Sequence, residues 1–196
     1  MQNNKIGFFG GSFNPIHFGH LNLAFELMER AGLKEVIFCP AFLSPHKKEQ
    51  PAIASAEDRL EMVKRAVQEI KQFQVLDWEV KRAEVSYTAD TLEKLKKKYP
   101  DSDLHLLLAQ DTLASLTSWK GYKQILKLAD PLIGFRNDVK PVIPAELKAL
   151  VKNNLIPTRQ LHISSTAVRE RLKKGLYCGH LVPKQVLDYI CQHQLY

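Results

Sequence analysis

Cysteine is scarce in this sequence, with three among 196 residues. Cys39, Cys178 and Cys191 fit neither a disulfide framework nor the paired spacing of a zinc site, so the expected compartment is reducing and cytoplasmic. No apolar run reaches the roughly 18 residues of a membrane span. The opening MQNNKIGFFGGSF lacks a basic stretch followed by an apolar one, which argues against a secretory leader. Repeats, low-complexity tracts and Gly/Ser linkers are missing as well. So are the two commonest phosphate fingerprints, G-x-G-x-x-G and G-x-x-x-x-G-K-[ST], and with them the usual signatures of hydride transfer and P-loop hydrolysis.

What remains is a globular composition, 45% hydrophobic and 25% charged, close to the average for folded chains. At about 150 residues per domain the length predicts one domain over 1–196, with C-terminal helices from about 164 packed on its core. A chain of this size buries roughly 70% of the surface it exposes unfolded, so it needs no staples. Lys plus Arg total 28 against 21 for Asp plus Glu, a net +7. That balance suits phosphate-bearing partners without separating a mononucleotide from a polymer. Lys96, Lys97 and Lys98 read as a solvated helix end, where cations complement the macrodipole, before they read as a nucleic-acid handle.

Strand and helix patterns alternate along the whole chain. Lys5–Phe9 is a β-prone run that stops at Gly10-Gly11, and Leu21, Ala24, Phe25 and Met28 then recur at helical spacing until Gly32. Val36–Cys39 is a compact apolar run. Ser55 and Asp58 resemble a capping box ahead of a helix carrying Leu60, Val63, Val67 and Ile70. Phe73–Val80 alternates as a strand, Ala89–Tyr99 reads as a helix, and Leu104–Ala109 as a strand. Tyr122, Ile125, Leu126 and Ala129 mark another helix, and Pro131–Phe135 and Gln160–Ile163 are weaker strands. Two helices close the chain, the second opened by Pro183. This order predicts an α/β fold, a doubly wound, Rossmann-like parallel sheet with helices on both faces. Ligands of such folds sit at the carboxyl ends of the strands.

The first strand empties into Gly10-Gly11-Ser12-Phe13-Asn14-Pro15-Ile16-His17-Phe18-Gly19-His20. Two adjacent glycines permit close backbone approach, and a helix start offers free N–H groups to an anion. Histidines three apart on a first helical turn point to one side. Zinc is a poor occupant, because no Cys, Asp or third His lies at ligand spacing, and no side chain is singled out as a metal ligand.

The stretch from Gly11 to His20 resembles the signature of the H-x-G-H nucleotidyltransferase superfamily, and its wider form is similar to that of the bacterial nicotinate-nucleotide adenylyltransferases. Asn14 stands where Asp is usual; it keeps the turn-forming oxygen and loses the charge. Ser44-Pro45-His46-Lys47 resembles the family's P-P-H-K loop, and Ser86-Tyr87-Thr88-Ala89-Asp90-Thr91-Leu92 its S-Y-T-x-D-T-L segment. Ala109-Gln110-Asp111 followed by Trp119 resembles G-x-D…W, with Ala109 in place of glycine. Ile163–Arg169 matches I-S-S-T-x-[IV]-R, and Leu181–Tyr196 is similar to the family's ending.

The resemblance implies transfer of AMP from ATP to nicotinate mononucleotide, with Mg²⁺ on the triphosphate and no nucleic acid or membrane partner. His17, His20, Lys47 and Arg169 are the implied catalytic residues, His20 foremost. Gly10, Gly11, Ser12, Phe13, Asp111, Ser164, Ser165 and Thr166 join them around ATP. Ser12, Phe13, Lys47, Thr88, Trp119 and Arg136 are implied for the mononucleotide, with Trp119 offering a flat face to the pyridine ring. Each has a plainer alternative: a loop lysine at Lys47, a helix cap at Ser164, a solvated arginine at Arg169, a core tryptophan at Trp119, and a helix-start carboxylate at Asp90. Rival functions are a sister adenylyltransferase acting on phosphopantetheine or nicotinamide mononucleotide, a basic nucleic-acid-binding module, and a metal-dependent hydrolase. The sequence leaves the oligomeric state open.

Overall fold

Ile6–Phe9 are buried without alternation, the mark of a strand covered on both faces, and they form the centre of β1 (Asn4–Gly11). The computed structural model describes residues 4–45, 54–135, 142–159 and 161–196. After β1 come α1 (Phe18–Ala31), β2 (Glu35–Pro40), α2 (Ala56–Val67), β3 (Phe73–Val75), α3 (Trp78–Arg82), α4 (Thr88–Lys98) and β4 (Ser102–Ala109). Then follow α5 (Gln110–Leu113), α6 (Tyr122–Leu128), β5 (Asp130–Phe135), α7 (Lys148–Val151), β6 (Leu155–Pro157), α8 (Ser165–Lys173) and α9 (Lys184–Gln192).

The strands make one six-stranded sheet in the order β3-β2-β1-β4-β5-β6. Register is parallel where Ile6 faces Leu104, Leu107 faces Leu132 and Gly134 faces Ile156. The order reverses at β1: the chain winds outward to β3, returns to β4 beside β1, and winds outward the other way. With right-handed crossovers this is the doubly wound α/β fold that the alternation predicts. Gly32, at φ +64°, stops α1 in the left-handed region where glycine carries no Cβ penalty. Ser55 caps α2 by accepting the Asp58 N–H at 3.0 Å, and the three lysines occupy the last turn of α4.

Three local expectations need correction. The expected strand Phe73–Val80 ends at Val75, and Trp78–Arg82 is helical. Glu79 and Val80 are both buried, Glu79 hydrogen-bonds Cys39, and Asp77 and Lys81 pair at 2.8 Å, a separation that helical spacing provides. The sixth strand is Leu155–Pro157, not Gln160–Ile163; Gln160 lies outside the described residues, and Leu161–Ile163 have no strand structure. As an edge strand, β6 carries half-exposed side chains and tolerates Pro157, so its apolar signal is weak. Finally, α2 stops at Val67, and Ile70 belongs to the turn that follows.

The chain folds as two compact units, each built from three segments. One comprises residues 1–9, 23–37 and 87–160, the other residues 10–22, 38–86 and 161–196. The core of the first includes Ile6, Leu27, Leu106 and Ile133; that of the second includes Ile16, Phe38, Met62 and Ile190. In the second, α9 packs on α2, where the Tyr189 hydroxyl donates to Asp58 at 2.8 Å. No helix among the described residues is long and apolar enough to cross a membrane.

Candidate active site

The spacing of His17, Gly19 and His20 has a local cause. His17 precedes the first residue of α1, and the His20 side chain reaches back so that its Nδ1 accepts the His17 backbone N–H at 3.3 Å. This is capping-box geometry with an imidazole in place of the usual Glu. The acceptor role of Nδ1 leaves the proton of a neutral ring on Nε2, which makes Nε2–H a donor. The two rings stack with centroids 3.7 Å apart. A Cβ on Gly19 would lie 3.0 Å from His17 Nδ1 and 3.1 Å from its Cε1, so glycine keeps that space open for the ring. His17 is 5% exposed, its buried Nδ1 bonds to no other described residue, and burial lowers its pKa to about 4. It is neutral at pH 7.

The preceding loop is tied down at several points. The Phe13 side chain is buried between His20, 5.2 Å away edge-on, and Phe38, 5.9 Å away. Its ring is committed to the interior, which leaves its backbone as the part available to a nucleotide. Gly10 is exposed and Gly11 and Ser12 half-exposed. From α8, the Ser165 hydroxyl donates to Pro15 O at 2.9 Å, and Arg169 donates to Asn14 O at 2.8 Å and to Thr166 Oγ1 at 3.2 Å. Ser164 caps α8 by accepting the Ala167 N–H at 3.1 Å. The second unit thus brings together the glycine turn, the histidine pair, Ser164, Ser165, Thr166 and Arg169.

Arg59 is a member of this assembly that sequence reasoning missed. It is 2% exposed and donates to Ser12 O at 2.7 Å, Ala41 O at 2.6 Å and Phe42 O at 2.8 Å. It therefore locks the loop after β1 to the loop after β2. In the sequence it reads as one more helix-surface charge. His46 and Lys47 of that second loop, like Arg136, lie outside the described residues.

In the first unit, Thr88 begins α4 and Trp119 ends a 3₁₀ turn at 116–118. Lys120 Nζ lies 4.1 Å from the Tyr87 ring centroid, and a Cβ on Gly121 would meet the Ala89 Cβ at 3.3 Å. These two approaches bring the surroundings of Thr88 and Trp119 together across 31 positions of sequence. Both side chains are half-exposed; Asp111, in the first turn of α5, is exposed and accepts the Thr112 N–H at 2.9 Å. Among the described residues, no group of three or more His, Cys, Asp or Glu side chains is placed to hold a metal ion.

The doubly wound sheet carries the paired histidines at its first helix start, as the resemblance to the H-x-G-H nucleotidyltransferases implies, and comparison with known proteins identifies the family. The family model described as cytidylyltransferase-like matches residues 8–171. A probable nicotinate-nucleotide adenylyltransferase of Dehalococcoides mccartyi is 42% identical over 201 residues, covering 98% of this chain and 97% of its own. Another from Carboxydothermus hydrogenoformans is 37% identical over the full length of both chains. The fold is also that of Plasmodium falciparum nicotinic acid mononucleotide adenylyltransferase complexed with NaAD, with a TM-score of 0.79 at 20% identity over 99% of this chain and 98% of that one. The chain belongs to the cytidylyltransferase-like family and, within it, to the nicotinate-nucleotide adenylyltransferases.

Proposed function

We propose that this protein moves AMP from ATP to nicotinate mononucleotide, giving nicotinate adenine dinucleotide and pyrophosphate in NAD biosynthesis. The observation that carries this is the stacked His17–His20 pair at the start of α1, fastened beside the Ser164-capped start of α8. Such an arrangement gathers hydrogen-bond donors and one fixed cation, Arg169, in one place. Adenylyl transfer asks for little else.

The acceptor's phosphate oxygen attacks the α-phosphorus of ATP, the bond to the β-phosphate bridging oxygen breaks, and pyrophosphate leaves with that electron pair. A phosphate is already a nucleophile at neutral pH, so neither a general base nor a covalent enzyme intermediate is needed. His20 Nε2–H and neutral His17 donate to phosphate oxygens, and Arg169 offsets their charge. The free amides at the start of α8, with the Ser165 and Thr166 hydroxyls, extend the cradle. Gly10, Gly11, Ser12 and the Phe13 backbone line the same nucleotide, Asp111 takes a ribose hydroxyl, and Lys47 brings a further charge. Thr88 and Trp119 receive the pyridine end of the mononucleotide, and Arg136 its phosphate.

Mg²⁺ enters as part of the nucleotide substrate, held by phosphate oxygens and water. The described side chains do not fit a resident ion, and no step here depends on one. Three free cysteines suit a reducing cytoplasm, and the 1–196 chain acts as one catalytic domain. Pyrophosphate release from MgATP, with nicotinate mononucleotide, nicotinamide mononucleotide and phosphopantetheine offered separately, tests the reading. Release with the first alone, lost in His20→Ala, is expected; preference for another acceptor would overturn the roles of Thr88 and Trp119.

A further inference from the structure

Within the loop from Ser12 to Ile16, most fastenings grip the backbone. Arg59 holds Ser12 O, Ser165 holds Pro15 O, and Arg169 holds Asn14 O. One grips a side chain: the Tyr196 hydroxyl donates to Asn14 Oδ1 at 2.6 Å across 182 positions of sequence. We propose that Tyr196 is a positioning residue for adenylyl transfer, acting through Asn14 on the loop that leads into the His17–His20 pair. The proposal rests on the function assigned above.

Three observations support it. Asn14 is 9% exposed, so its carbonyl oxygen would be left without water if the tyrosine hydroxyl were removed, a costly state for a buried acceptor. Its neighbour Phe13 holds φ +45°, a left-handed conformation that a bulky residue keeps only when its surroundings enforce it. The backbone next to Tyr196 is tied down: Leu195 donates its N–H to Ile190 O at 3.0 Å, fastening the segment after α9 back onto that helix. The phenol lies close enough to Arg169, Arg59 and Asp58 to feel their charge, and burial raises its pKa, so it keeps the proton it donates. Asn14 thus links three parts of the site: its backbone carbonyl orients Arg169, its side chain takes Tyr196, and His17 follows three residues on. An asparagine here accepts the hydroxyl as an aspartate would, without setting a negative charge beside the phosphates.

The test is a double-mutant cycle of Tyr196→Phe and Asn14→Ala, read by pyrophosphate release from MgATP and nicotinate mononucleotide. Each single variant should lose about tenfold in kcat, the scale of a small misalignment of reacting groups. Tyr196→Phe strands the Asn14 acceptor and Asn14→Ala the Tyr196 hydroxyl, so each should also lower Tm by roughly 2–10 °C while the protein stays folded at about 25 °C. The double variant should be no slower than the slower single one, because both remove the same link. A kcat for Tyr196→Phe equal to wild type, or losses that multiply in the double variant, would overturn the proposal. Hydrogen exchange supplies a readout that does not depend on activity: amides 12–17 should exchange faster in Tyr196→Phe. Wild-type protein that releases no pyrophosphate with this acceptor would overturn the assigned function instead. Unchanged exchange over 12–17 would then still overturn the tie between Tyr196 and the loop.

Discussion

His20 Nδ1 accepts the His17 backbone N–H at 3.3 Å while the two imidazoles stack at 3.7 Å. One ring therefore caps the helix that carries it and has its opposite nitrogen set as a donor. His20→Ala should lower kcat by roughly 10²–10³, the usual cost of removing one preorganised transition-state donor. Steady-state pyrophosphate release measures it, and a kcat within a few-fold of wild type would move the donor role from His20 to the helix amides.

Gly19 makes a narrower claim. Its replacement by Ala would place a Cβ 3.0 Å from His17 Nδ1 and 3.5 Å from Ile163 O. The histidine ring must shift by a few tenths of an ångström, with small cost to folding and a larger one to alignment. Gly19→Ala is expected to lose about tenfold in kcat/KM for ATP, with a near-wild-type thermal unfolding curve. A variant as active as wild type would show that the pair tolerates that shift.

His17 also links the site to acid stability. Burial lowers its pKa to about 4, below the value of about 6.5 in the unfolded chain. Between these values the unfolded state binds the proton and the folded state does not, so stability falls as pH falls from about 6.5 towards 4. The full loss is roughly 3 kcal/mol. Urea unfolding across this window should show a shallower pH dependence for His17→Gln than for wild type; equal slopes would mean that His17 titrates normally.

The elements legible in the sequence are those whose cause is local. The β1 turn, the α1 periodicity ending at Gly32, the Ser55 cap and the lysine-rich end of α4 each depend on residues within a few positions. What escaped depends on distant ones. Trp78–Arg82 alternates like a strand, and it is the burial of Glu79 beside Cys39 and the Asp77–Lys81 pair that mark the helix. At the site, the histidine spacing and the Ser164–Arg169 block were readable as motifs. Arg59 was not, because nothing in Glu57-Asp58-Arg59-Leu60 distinguishes a guanidinium that turns inward to three carbonyls. The Asn14–Tyr196 pair spans nearly the whole chain, beyond the reach of any periodicity.

Under the proposed function, Trp119 is the residue whose removal separates ring binding from phosphate chemistry. It is half-exposed, and the next residue, Lys120, lies 4.1 Å from the Tyr87 ring centroid. Trp119→Ala should raise KM for nicotinate mononucleotide by about tenfold or more, the value of one aromatic stacking partner, and leave KM for ATP nearly unchanged. An increase in both constants would place Trp119 in the core instead.

Arg59 tests whether the loops after β1 and β2 depend on one buried charge. Its guanidinium is almost fully enclosed, burial lowers its pKa, and its hydrogen bonds run to backbone carbonyls of Ser12, Ala41 and Phe42. Arg59→Met removes the desolvated charge but strands three acceptors, and the second effect should dominate, because unsatisfied buried carbonyls cost about 1–3 kcal/mol each. A fall in Tm of roughly 10 °C is expected at about 2–4 °C per kcal/mol for a chain of this size. Arg59→Lys keeps the charge but lacks the forked donors needed to reach all three carbonyls, so its Tm should lie between the two. If Arg59→Met proved as stable as wild type, water or a neighbouring donor would be satisfying those carbonyls, and the two loops would be held by their own backbone bond from Ala41 N–H to Gly11 O.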